Sequence, residues 1–146
     1  MIELDVQGLD KALRSLDAMV SPEVDSQIET GFLNIARALQ AQIKQNIPKG
    51  PPKPGGRAEW RRLQRSIVAK KYAQKVPHNP TVFCGVDFKK GPHFHLYEFG
   101  FYHWGNGKFI PGKHPFAMTV HANEEKIVTE MERVSWQVVE LAWDRG

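Results

Sequence analysis

The side chains whose types could do chemistry cluster in one stretch, where His93 and His95 stand two apart, Glu98 follows, and His103 and His114 lie beyond. Imidazole nitrogens and a carboxylate oxygen can bind a divalent metal, and on a strand His93 and His95 would share a face. The remaining ligands fall at no metal-binding spacing, however, and neither Cys-x-x-Cys nor His-Glu-x-x-His is present. Gly105-Asn-Gly-Lys108 lacks both the glycine spacing of a phosphate loop and the Ser or Thr that follows its lysine. It reads as a glycine-rich turn. Ser66 and Cys84 have no glycine-flanked elbow to expose them as nucleophiles. Glu98, between Tyr97 and Phe99, is expected to cap the amides of the turn that follows, with Gly100 taking a backbone conformation other residues resist. The chain is therefore read as a protein without catalytic residues, metal or cofactor.

A second candidate is electrostatic. The formal net charge is +4, but ten basic side chains lie between Lys44 and Lys75 against the single acid Glu59, and both ends of the chain lean acidic. Such a surface suits a polyanion, with Trp60 or Tyr72 stacking on bases, and it equally suits an acidic face of a neighbouring subunit. No helix-turn-helix, zinc-finger or aromatic sheet motif accompanies it.

The elements that position these groups follow from periodicity. Ile2, Leu4 and Val6 alternate with polar residues and predict a short strand, after which Leu9, Leu13 and Leu16 take helical spacing. Ser21-Pro22 is an N-cap with proline in the first turn. The stripe Ile28, Phe32, Ile35, Leu39, Ile43 and Ile47 then predicts a long helix ending at Pro48. Residues 48–57, rich in Pro and Gly, are expected to form a mobile basic loop carrying Lys49, Lys53 and Arg57. Strand character is expected from Ser66 and Ile67 toward Tyr72, a turn at 76–80, and a strand from Thr81 to Phe88. Between Phe94 and Phe116 only a turn or strand at 96–99 and a short strand near 108–110 are expected. A last helix should start near Pro115, with a stripe of Val120, Ile127, Met131, Val134, Val138 and Leu141, and with Trp136 and Trp143 at its edge. Taken together this is one α+β domain over residues 1–146, with the long helix and the C-terminal helix packed on a small antiparallel sheet. With one cysteine, no signal-peptide pattern and no membrane span, the chain is expected in the cytoplasm.

The order of these motifs resembles the small head-tail joining, or tail-completion, neck proteins of long-tailed lambdoid-type phages and prophages. The resemblance runs over Ile2-Glu-Leu-Asp-Val-Gln-Gly-Leu-Asp-Lys-Ala-Leu13, the helix ending Ile43-Lys-Gln-Asn-Ile47-Pro48, and Leu63-Gln-Arg-Ser66-Ile67. It continues through Val82 to Val86, Tyr97-Glu98-Phe99-Gly100 and Pro115-Phe116. It implies a structural virion protein, assembled in the host cytoplasm into a neck ring of about six or twelve copies by analogy, between a connector or stopper and the tail terminator. DNA crossing the lumen would then face the basic segment. The surface expected to meet other proteins comprises Phe101, Tyr102 and Trp104 with Lys49, Lys53, Arg57, Arg61 and Arg62, and the alternative function is nucleic-acid binding through residues 44–75.

Overall fold

A computed structural model of the chain describes residues 6–48, 56–72 and 79–145, the side chains of 6–7 and 56–58 aside. The elements run α1 (Val6–Met19), α2 (Pro22–Asn46), α3 (Gly56–Ser66), β1 (Ile67–Lys71), β2 (Val82–Val86), α4 (Phe94–Phe99), β3 (Gly100–Tyr102), β4 (Phe109–Pro111) and α5 (Pro115–Arg145). The class is α+β, and the strands form two separate antiparallel ribbons.

Helix α2 begins where the sequence places it. The Ser21 hydroxyl accepts the Val24 amide at 3.4 Å while Pro22 fills a position that needs no donor, and Pro48 follows the last turn. On one side α2 holds the ribbon β1–β2, in the register Ile67↔Val86, Ala69↔Cys84 and Lys71↔Val82, with the Gln40 amide donating to the Ile67 carbonyl at 2.7 Å. On the other side it packs along α5. Asn46 donates to the Thr119 hydroxyl at 2.8 Å near one end, and Arg145 reaches Glu23 at 3.3 Å near the other, so the two helices run antiparallel. A Cβ at Gly31 would strike the Val134 side chain, so the missing side chain is what lets the two backbones approach midway. Helix α1 covers the C-terminal part of α5, where the buried Ser15 hydroxyl donates to the Trp143 carbonyl at 2.9 Å.

The core lies at the opposite end of this bundle. Ile43, Ile47, Leu63, Ile67 and Phe94 are buried together, with Leu39, Trp60, Cys84, Val86, Tyr97 and Phe116 packed around them. The end of α2, helix α3, both strands of the first ribbon, α4 and the start of α5 therefore share one apolar centre.

Several expectations change. The strand at 2–6 lies outside the described residues except for Val6, whose backbone opens α1. Residues 49–55 of the expected loop and 76–78 of the expected turn also lie outside them, and the last two residues of that loop, 56 and 57, open helix α3 instead. The run before Ser66 is a helix, in which Trp60, Leu63 and Ser66, three residues apart, turn inward and lead the chain to Ile67 at the start of β1. Strand β2 stops at Val86, and Phe88, expected to end the strand, sits exposed in the turn that follows. Residues 96–99 are helical, since Phe94 and Tyr97, three apart, both reach the core. Of the C-terminal stripe, Val134 is buried but Met131 and Leu141 are exposed.

Truncating the core and truncating the α1 stripe should differ sharply. Ile43→Ala empties a fully enclosed site and is expected to cost about 3 kcal/mol; Leu13→Ala, half exposed on α1, should cost less than about 1 kcal/mol. Urea denaturation of both variants checks the contrast.

Candidate functional site

Glu98 organises the chemistry-bearing stretch. The residue is 6% exposed, and its two carboxylate oxygens accept the amides of Phe116 at 2.9 Å and Ala117 at 3.0 Å in the first turn of α5. Those amides have no partner within their helix, and the helix dipole makes them partly positive, so a carboxylate is the matching acceptor. The sequence expectation of a cap is right in kind but wrong in place. Glu98 caps a helix that starts beyond the next two strands, because α4 turns its side chain across to α5 instead of along the chain. The adjoining backbone is tied as well, the Lys113 amide donating to the Tyr97 carbonyl at 2.9 Å.

Gly100, which ends α4, has φ of +86° and ψ of 177°, a region that residues with a side chain rarely enter. A Cβ there would also run into the Ile110 carbonyl oxygen and the Gly112 amide nitrogen. From this pivot a hairpin projects, with β3 and β4 in the register Gly100↔Pro111, Phe101↔Ile110 and Tyr102↔Phe109. The glycine-rich turn closes it: His103 donates its amide to the Lys108 carbonyl at 2.8 Å and accepts the Gly107 amide at 2.8 Å. The Asn106 side chain accepts the Lys108 amide at 3.0 Å. Tyr102 and Phe109 pack against each other at a tilt of 54°, with ring centroids 5.1 Å apart. The rest is open to solvent, with Tyr102 73% and Trp104 96% exposed and Phe101 at the edge of exposure.

The histidines are not brought together. His93 ends a turn and its Nδ1 lies 3.0 Å from Glu59, whereas His95 lies in α4; the strand that would have aligned them is absent. The His103 ring accepts the Gly105 amide at 3.1 Å within the hairpin turn. Among the described residues no three His, Cys, Asp or Glu side chains are grouped so as to hold a metal. Ser66 is fully buried, its hydroxyl donating to the Leu63 carbonyl at 2.5 Å, and beside it Ile67 belongs to the core. Burial pushes the Cys84 thiol above its usual range, which leaves it protonated and a poor nucleophile at neutral pH. Tyr97 is likewise raised, first by burial and then by the charge of Glu59. Pro115 is buried, and Phe116 packs on the core beside the amides that Glu98 holds.

Of the expected basic surface, Arg61, Arg62 and Arg65 project from α3 and, with Lys90 from the turn after β2, line a shallow depression of about 430 Å³. Lys49 and Lys53 lie outside the described residues, and Arg57 is described only in backbone. Trp60 is not offered for stacking. It packs on the core with its indole nitrogen 3.4 Å from the Ile47 carbonyl. A further exposed surface, which periodicity does not separate from core, lies between α1 and the end of α5. Leu16, Trp136 and Trp143 are 50%, 66% and 43% exposed there. Its sequence signals are the helical spacing of Leu9, Leu13 and Leu16 on one wall and the seven-residue step from Trp136 to Trp143 on the other.

Family models, curated proteins and solved structures yield no match to this chain. Among the described residues no helix is long and apolar enough to cross a membrane.

Removing the clamp should release the first turn of α5 and the hairpin together. Glu98→Ala is expected to lower stability by about 2 kcal/mol, and Glu98→Gln, which keeps one acceptor, by about half that. Denaturation midpoints together with amide exchange at Phe116 and Ala117 test it; unchanged exchange there would exclude the clamp.

Proposed function

We propose that this chain is a non-enzymatic structural component of a tailed-phage neck, where it joins head to tail as part of a ring. The observation that carries the reading is the hairpin: a rigid base built on Glu98 and Gly100 presents Tyr102 and Trp104 bare to solvent. An aromatic surface of this kind on a preorganised support is the anatomy of a protein contact, since aromatic side chains dominate binding hot spots and large apolar patches are rarely left uncovered on monomers. The order of sequence motifs supplies the phage context, and the connector or stopper and the tail terminator are the neighbours it implies. Deleting the gene from the prophage that carries it should give DNA-filled heads and separate tails in negative-stain images. Wild-type protein should restore joining, and the Tyr102→Ala/Trp104→Ala variant should restore it at least tenfold less well. Joined, infectious particles from the deletion would refute the assignment.

The depression of Arg61, Arg62, Arg65 and Lys90 favours a second reading, contact with nucleic acid. Four cations around one hollow with no acid lining it suit phosphate oxygens. Binding to duplex DNA should then fall steeply with salt, and Arg61→Glu/Arg62→Glu should flatten the logarithmic slope by about two. An unchanged slope would assign the cluster to a protein neighbour.

A further inference from the structure

We infer that the hairpin of one copy docks in the groove between α1 and α5 of a second copy, so that the chain assembles head to tail. This rests on reading the hairpin as a protein contact and names its partner. The groove is lined by Leu16, Trp136, Val139 and Trp143, with the carboxylates of Glu140 and Asp144 on its rim, and has a volume of about 430 Å³. Among the described residues those two acids are its only charged lining groups. The hairpin is its counterpart in both respects. Between Gly100 and His114 the chain has no acid, carries Lys108 and Lys113, and exposes Tyr102, Trp104 and Phe109. Apolar surface thus meets apolar surface while ammonium groups face carboxylates.

The fold prevents a chain from satisfying itself. The hairpin is anchored at Phe116 and Ala117, and the groove centres near Val139, roughly 33 Å farther along α5 at about 1.5 Å per residue. From Gly100 to Trp104 the hairpin reaches only about 13 Å at about 3.3 Å per residue. Knob and socket stand toward opposite ends of one helix, so the contact is heterologous and repeats from copy to copy. It closes into a ring where the rotation between copies allows.

Sedimentation of the full chain over a range of concentrations tests the pairing. Wild type should self-associate. Tyr102→Ala/Trp104→Ala and Glu140→Lys/Asp144→Lys, all at exposed positions, should each weaken association more than tenfold while retaining the wild-type circular dichroism. An equimolar mixture of the two variants should give a dimer and nothing larger, because one intact hairpin then meets one intact groove. Lys108→Glu replaces the aromatic pair if that variant does not fold. A wild type that stays monomeric, a variant that associates as wild type does, or a mixture that remains monomeric each overturns the inference. Unjoined particles from the gene deletion alongside a monomeric chain would retain the neck role and refute only this pairing. Joined particles alongside intact head-to-tail assembly would do the reverse.

Discussion

The clasp of a buried carboxylate on two backbone amides holds this molecule's working parts in register. Glu98 belongs to a helix of six residues, too short to persist in isolation, and Phe116 and Ala117 open one of 31. By bonding both amides at once, the carboxylate fixes the direction in which the long helix leaves the core. The same contact fixes α4, and with it the pivot from which the aromatic strands project. Burial makes the arrangement cooperative. A carboxylate so enclosed is costly without its partners, and amides so placed lack acceptors without the carboxylate.

The remaining architecture distributes two kinds of stability. Around Ile43, Leu63 and Phe94 the chain is closely packed and every layer contributes. Along α1 and the far half of α5 the helices touch through narrow seams, at Gly31 against Val134 and at Ser15 against the Trp143 carbonyl, and leave their broader apolar faces uncovered. One end of the molecule thus specifies the fold, and the other carries apolar surface beyond what the fold encloses.

Much of this was legible in the residues, for physical reasons that differ from place to place. Ser21-Pro22 and Pro115 announce helix starts because capping and proline chemistry are local, and β2 shows itself through alternation. Helix α3 escaped because arginines and a Pro/Gly-rich approach mask its inward residues, although the three-residue spacing of Trp60, Leu63 and Ser66 held the signal. Tyr97-Glu98-Phe99 resembles a strand by alternation, and only the step from Phe94 to Tyr97 argues for helix. That Glu98 serves an element 18 residues away is a tertiary fact with no local trace. The groove likewise joins Leu16 to Trp143 across nearly the whole chain, so periodicity marks each wall separately but not their meeting.

The hairpin's brevity has a further consequence. Each of its strands spans three residues, and β4 ends in Pro111, which has no amide hydrogen to donate. An edge so short offers too few consecutive donors and acceptors to template a foreign strand. A protein can thus display tyrosine, tryptophan and phenylalanine side by side without inviting strand-on-strand, amyloid-like growth, and recognition is left to the shape and charge of side chains.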